Sequence, residues 1–268
     1  MSASPYPSGD LAVPSGSPAA PGVLQALGLI LLYFLLQVVA GVLLGFGAGV
    51  LEKMRHPQLP LAEVRKHATE LLRQPDTSAL LVVVAMPLIA MALFWLVRRT
   101  WPALWQRPAP PGFGFVNPVS SRWYVAALVL GLVMPPVGAL ITQWLAHGHE
   151  VTQNVQELTQ HASSRLRLPL GLVAVTVGPM IEELMFRGVL LSALMRRLST
   201  ATSVALCALL FGAVHLGGLD FQWYALPNLI LLAIALCWLR LRSTSLWPAI
   251  LAHGMYNLFA LVALFSAA

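Results

Sequence analysis

The sequence contains little charge. Of its 268 residues, only 10% are Asp, Glu, Lys or Arg, whereas 58% are hydrophobic. A typical soluble domain carries about 25% charged residues, and a disordered chain is polar and poor in apolar residues. Both classes are therefore excluded, because neither a water-facing surface nor a solvated chain can be built from this composition. A membrane protein with several spans remains.

Cysteine is also scarce, and basic residues do not cluster. The two cysteines, Cys207 and Cys237, lie in apolar runs, so we interpret them as small buried side chains rather than as a disulfide framework. The net charge is +6. The basic residues stand singly or in pairs between apolar runs, which is typical of loops near anionic lipid. We therefore predict no nucleic-acid partner.

Apolar runs of membrane-spanning length occupy most of the chain. A transmembrane helix needs about 20 predominantly apolar residues. This criterion predicts about seven spans, at residues 24–51, 79–97, 123–145, 168–191, 201–216, 224–239 and 244–265. The predicted fold class is all-α, a polytopic transmembrane helical bundle. We divide the chain into a disordered tail (1–22), N-terminal membrane helices and loops (23–167), and a catalytic membrane core from the last four spans (168–265).

The charges of the loops predict the orientation. Loops after spans 2, 4 and 6 carry eight basic residues and no acidic ones, whereas loops after spans 1, 3 and 5 carry seven of each. The positive-inside rule counts basic residues near the ends of the spans. It favours an internal N-terminus, by a margin of one basic residue.

Charged residues and histidines inside the predicted spans are confined to the last four spans. A charged side chain at the bilayer centre costs about 2.5–3.5 kcal/mol on insertion scales, so such residues are candidates for function. They are Glu182, Glu183 and Arg187 in span 4, His215 in span 5, and His253, accompanied by Asn257, in span 7. Span 6 adds an amide, Asn228, next to Pro227.

Helix geometry separates the two adjacent acids. Glu183 and Arg187 are four residues apart, with the acid first, which favours an ion pair on one helix face. Glu182 is rotated from Glu183 by about 100°. We therefore predict that Arg187 neutralises Glu183 and that Glu182 is free for another task. A purely structural role for all three residues is the alternative, although two adjacent acids in lipid are a costly way to join helices.

In chain order, these residues form three motifs. They are EExxxR at 182–187, FxxxH at 211–215 and HxxxN at 253–257. On hydrophobic helices and in this order, they resemble the CPBP family, which comprises type II CAAX prenyl proteases and bacteriocin-processing or bacteriocin-immunity proteins. The resemblance extends from residue 170 to residue 260. It implies an intramembrane endopeptidase that acts on a membrane-associated protein or peptide.

The resemblance also implies a role for each motif residue. It implies water activation by Glu182 with His215 beside it, oxyanion stabilisation by His253 and Asn257, and support from Glu183 and Arg187. Peptide hydrolysis needs a base for water and donors for the oxyanion, and a water-poor cavity strengthens both. An amide donates without a change of charge, and we expect the histidine of the third motif to donate in either protonation state.

Two alternatives stay open. Two histidines and a carboxylate suffice for catalytic zinc, but the spacing is not HExxH and each ligand would come from a different helix, so we predict no metal and no cofactor. The second alternative is a non-catalytic membrane immunity or scaffold protein. The expected partners are the lipid bilayer and a membrane-associated protein or peptide substrate. The expected location is a bacterial cytoplasmic membrane, and the sequence does not determine an oligomeric state.

Overall fold

The computed structural model describes residues 20–148, 158 and 160–266. Within these ranges the chain is helical and contains no strand. The helices are α1 (Val23–Arg55), α2 (Leu61–Arg73), α3 (Pro75–Thr100), α4 (Arg122–Ala146), α5 (Ser164–Met195), α6 (Thr200–His215), α7 (Leu226–Ser243) and α8 (Trp247–Ser266). Most of the predicted tail, residues 1–19, lies outside the described residues.

The predicted fold class is confirmed. Among the described residues, six helices (α1 and α3 to α7) are long and apolar enough to cross a membrane, and α8 contains a shorter apolar helix. Spans 5 and 6 are longer than the sequence predicts, because a 3-10 turn extends each of them. Leu216–Leu219 follows α6, and Trp223–Ala225 precedes α7. The protein is therefore an integral membrane protein with about seven spans.

Helix α5 is irregular where it carries the two adjacent acids. An α-helical segment, Gly178–Glu183, lies between two π-helical segments, Val173–Val177 and Leu184–Leu190. Pro179 has no backbone N–H, so a carbonyl of the preceding turn loses its helical partner. Such π turns are frequent at functional sites. The wide turns bracket the acids and free backbone groups close to them.

The main core surrounds the second half of α5. Every residue from 183 to 194 is buried, and the core cluster joins this half of α5 to α1, α3, α6 and α7. Cys207 and Cys237 are both free and buried in this cluster, as the sequence predicts. Helix α5 thus packs against four of the other helices.

Helix α4 packs closely on α7 and α8 because glycine replaces larger side chains at the contacts. A Cβ at Gly131 would lie 2.5 Å from the Met255 Cβ and 2.8 Å from the Ala252 carbonyl oxygen. A Cβ at Gly138 would overlap the side chain of Asn228. These close contacts place α4 on the same side of the bundle as the polar residues of α7 and α8.

The connection between α3 and α4 is tied to the core by a buried arginine. Arg240 of α7 is fully buried. It donates from Nη1 to the Pro108 carbonyl at 2.7 Å and from Nη2 to the Gly112 carbonyl at 2.6 Å. Ser192 of α5 also donates to the Gly112 carbonyl, at 3.3 Å. The N-terminal region and the last four helices therefore share buried polar contacts.

Candidate active site

The two adjacent acids of α5 occupy different environments. Glu182 lies on the wall of a cavity of about 680 Å³, and its side chain is 19% exposed. Glu183 is fully buried in the core. His215, His253 and Asn257 line the same cavity. The rotation expected from helix geometry thus leaves one acid accessible and buries the other.

Two imidazole rings approach the carboxylate of Glu182. The Nε2 atom of His215 lies 3.8 Å from Glu182 Oε2, and that of His253 lies 3.7 Å from the same oxygen. Both separations are longer than a direct hydrogen bond. Three helices, α5, α6 and α8, therefore bring their polar groups together at one point of the cavity.

The other ring nitrogen of each histidine is already engaged. His215 Nδ1 lies 2.7 Å from the Phe211 carbonyl oxygen, and His253 Nδ1 lies 2.9 Å from Glu183 Oε1. Since a carbonyl and a carboxylate accept hydrogen bonds, both Nδ1 atoms carry the proton. In a neutral ring Nε2 is then an acceptor. The sequence predicts that His253 donates in either protonation state. With this arrangement its Nε2 can donate only when the ring is an imidazolium.

Glu183 has two partners rather than one. Its Oε1 accepts from Arg187 Nη1 at 2.7 Å, so the predicted ion pair is present, and it also accepts from His253 Nδ1. Arg187 is fully buried as well and donates from Nη2 to the Ala233 carbonyl at 3.3 Å. Removing one partner from such a buried pair leaves an uncompensated charge. Glu183 therefore couples the charge of Arg187 to the orientation of His253.

Phe211 explains the first position of the FxxxH motif. Its ring centroid lies 4.5 Å from that of His215 and 5.8 Å from that of His253. The guanidinium carbon of Arg187 lies 4.4 Å from the centroid of the same ring, within the range of a cation–π contact. One aromatic ring thus packs against three of the polar side chains predicted from the sequence.

Asn257 is held by the irregular part of α5. Its Nδ2 donates at 2.8 Å to the carbonyl of Ala174, in the π turn before Pro179. The helices approach closely here, because a Cβ at Gly254 would lie 2.6 Å from the Val175 carbonyl oxygen. An amide nitrogen has two hydrogens, so Asn257 retains one N–H for another acceptor at the cavity wall.

Sequence reasoning missed Tyr256, a polar residue of the cavity that contacts Asn228. Asn228 of α7 donates from Nδ2 to the hydroxyl of Tyr256 at 2.8 Å, and both residues line the cavity. Tyr256 directly precedes Asn257 and lies three residues after His253. That spacing is visible in the sequence, but a tyrosine in an apolar helix does not stand out, because the search for costly residues in the spans favours charged groups.

The zinc alternative requires Glu182, His215 and His253 to act as ligands. In the part of the chain that the structure describes, no group of three or more His, Cys, Asp or Glu side chains has an arrangement that could hold a metal ion. The geometry therefore gives the zinc alternative no support.

Comparison with known proteins connects this site to a family. Residues 164–259 match the family described as "Type II CAAX prenyl endopeptidase Rce1-like". All three motifs lie within the matched range, so the resemblance inferred from them is confirmed. Residues 1–163 lie outside the match. No curated protein and no solved structure matches the chain.

Proposed function

Since residues 164–259 match a family of type II CAAX prenyl endopeptidases, we propose that the protein is an intramembrane endopeptidase. It hydrolyses a peptide bond of a membrane-associated protein or peptide with water activated by Glu182. The observation that carries this proposal is the convergence of His215 Nε2 and His253 Nε2 on Glu182 Oε2 at a cavity wall. The family match supports the reaction class, and the geometry supports the choice of residues.

Water activation follows from the positions of the hydrogens. A neutral His215 with its proton on Nδ1 presents Nε2 as an acceptor. A water molecule can then donate one hydrogen bond to Glu182 and the other to His215. The water oxygen attacks the peptide carbonyl carbon while one proton moves to Glu182. When the C–N bond breaks, that proton passes to the leaving nitrogen and restores the carboxylate.

In this proposal, His253 and Asn257 stabilise the oxyanion. The buried carboxylate of Glu183 accepts from His253 Nδ1 and orients the ring, and an imidazolium in this orientation can donate from Nε2–H to the oxyanion. Asn257 adds its second N–H. Losing one oxyanion donor typically costs about 10²–10³ in rate. The cavity strengthens these contacts because its wall is mostly apolar.

The cavity lining supports a proposal for the route of the substrate. Besides the site residues, the cavity is lined by Thr142 and Gln143 near the end of α4 and by Phe259 and Ala263 near the end of α8. The cavity thus extends toward the end of the bundle that carries the 147–163 connection. With an internal N-terminus this end faces outward, and substrate enters from there.

Labelling of a Gln160→Cys variant in intact cells by a membrane-impermeant maleimide tests this orientation, with Arg197→Cys as the inward-facing control.

Replacement of the proposed base is the direct test of the function. We expect purified wild-type protein in lipid vesicles to cleave a farnesylated peptide with a CAAX terminus or members of a peptide library made from membrane proteins. Glu182→Gln keeps the size of the side chain and removes the base, so cleavage falls by at least about 100-fold. The matched control is Glu63→Gln, an exposed acid of α2, which retains full activity.

The same assay separates the alternatives. Unchanged cleavage in a strong chelator, with no stoichiometric zinc in the purified protein, argues for water activated without a metal. Loss of cleavage in the chelator and its recovery with zinc establish the zinc-dependent reaction instead. If wild type cleaves nothing and Glu182→Gln keeps the full biological function in cells, the protein is a membrane immunity or scaffold protein. Comparison of membrane-protein termini from cells with wild type or Glu182→Gln identifies the natural substrate.

A further inference from the structure

One polar pair in the cavity has no part in the proposed reaction. Asn228 and Tyr256 join α7 to α8 by a hydrogen bond of 2.8 Å. We propose that Tyr256, held in place by Asn228, is a substrate-binding residue whose hydroxyl donates to a backbone carbonyl of the peptide. This inference rests on the proposed endopeptidase function and adds a contact outside the reacting bond.

The position of Tyr256 on its helix points toward the substrate. At about 100° per residue, Tyr256 and Asn257 lie about 60° to one side and 40° to the other side of His253. All three residues therefore share one face of α8, and all three line the cavity. A peptide whose scissile carbonyl lies at His253 and Asn257 passes along the face that carries Tyr256.

The hydroxyl hydrogen of Tyr256 is available for a hydrogen bond to the substrate. Its oxygen accepts from Asn228, and within the described ranges its own hydrogen has no protein acceptor. By contrast, the equally buried Tyr33 of α1 donates its hydroxyl hydrogen to Met86 Sδ at 3.3 Å. A hydroxyl that accepts a hydrogen bond is polarised and becomes a better donor. Tyr256 is therefore prepared to donate to a carbonyl in the cavity.

Asn228 is difficult to explain as a packing residue. It lies in an otherwise apolar segment, and α4 has a glycine, Gly138, where a Cβ would overlap its side chain. Among the described residues, no donor reaches its buried Oδ1. Two apolar side chains would join α7 and α8 without leaving a polar atom unpartnered. The amide is instead explained if its N–H fixes the direction of the Tyr256 hydroxyl.

The spacing selects an extended peptide as the ligand. Tyr256 and His253 are three positions apart on α8. Residues at this spacing on a helix have Cβ atoms about 5–6 Å apart. An extended chain advances about 3.3 Å per residue, and carbonyls two residues apart project on the same side. A carbonyl two residues from the scissile carbonyl therefore reaches Tyr256 when the scissile carbonyl reaches His253.

Kinetics of hydroxyl-deleted variants test this contact. The substrate is the peptide that wild type cleaves fastest in vesicles, and the variants are Tyr256→Phe, Asn228→Leu and the double variant. We expect Tyr256→Phe to lower kcat/KM by about three- to tenfold, mainly through KM, as for one neutral hydrogen bond. Asn228→Leu lowers it less, and adds nothing in the Tyr256→Phe background, because it acts through the hydroxyl. Tyr124→Phe is the control, because it removes the hydroxyl of a tyrosine of α4 that does not line the cavity, and it leaves kcat/KM unchanged.

A change in the substrate separates binding from a structural role. In a series of peptides, each backbone carbonyl outside the scissile bond is replaced in turn by a thioamide, a weaker acceptor. Wild type should cleave the peptide more slowly when one particular carbonyl is replaced. Tyr256→Phe should cleave that thioamide peptide as fast as it cleaves the unmodified peptide. Unchanged kinetics of Tyr256→Phe beside an active wild type overturn this inference, as does a loss that is equal at all thioamide positions. Complete inactivity of wild type instead overturns the proposed function, and this inference with it.

Discussion

The N-terminal helices α1 and α3 expose most of their apolar residues, whereas α5 and α7 bury a larger share of theirs. In the most hydrophobic window of α1, 17% of the residues are buried inside the protein, and in α3 22% are buried. The corresponding share is 44% in both α5 and α7, although these two helices are less hydrophobic. The most hydrophobic helices therefore face lipid, whereas the buried helices carry the polar groups. In this chain, high hydropathy marks contact with the membrane rather than membership of the core.

The difference follows from the two environments. Lipid offers no hydrogen-bonding partners, so a helix that faces it must be apolar around most of its surface. A buried helix can carry charge where another helix supplies the partner, as Arg187 and His253 do for Glu183. Substitutions in the two regions should therefore differ in effect even when the residues exchanged are the same.

Loss of the buried cation should be the most damaging change to stability. Arg187→Met keeps an unbranched apolar side chain in the core but leaves the carboxylate of Glu183 buried without its counter-ion, which costs about 3–5 kcal/mol. The measurement is thermal unfolding of the purified protein in detergent. The double variant Glu183→Gln/Arg187→Met removes both charges and should recover part of the loss. A double variant no more stable than Arg187→Met would show that the ion pair is not the cause.

A matched leucine pair compares the two regions directly. Leu184 of α5 is fully buried, whereas Leu43 of α1 is 64% exposed on the surface that faces lipid. Leu184→Ala leaves a cavity and should cost about 2–5 kcal/mol. Leu43→Ala exchanges one lipid contact for another and should lower the unfolding temperature far less. Equal losses in the two variants would contradict the contrast between lipid-facing and buried helices.

A smaller effect is expected where the two regions are joined. Arg240→Met removes the donors to the carbonyls of Pro108 and Gly112, which leaves the Pro108 carbonyl unpartnered and the Gly112 carbonyl with Ser192 alone, at about 1–3 kcal/mol. The loop between α3 and α4 should become sensitive to protease before the rest of the chain. Arg242→Met is the control, because it removes a neighbouring arginine that is not buried. A protease pattern that is the same in both variants would mean that Arg240 does not hold this loop.

The sequence predicts those parts of the site that depend on one helix at a time. The spans follow from hydropathy, and the contact between Glu183 and Arg187 follows from a spacing of four residues. The hydrogen bond between His253 and Glu183 joins α8 to α5, across 70 positions of the chain, and no periodicity encodes such a contact. The π turns beside Glu182 are equally hidden, since the residues that form them are compatible with an ordinary α-helix.

The π turn Leu184–Leu190 has a consequence for insertions and deletions. A π turn holds more residues than an α turn over the same stretch of helix, so the chain behaves there as though a residue had been inserted. Deleting one residue from this segment would let it close into an α-helical path, and the buried positions after residue 190 would keep their neighbours. The same deletion in a regular α-helical stretch would turn everything beyond it by about 100°. A deletion of one residue is therefore expected to unfold the protein less when it is made within Leu184–Leu190 than when it is made within α7.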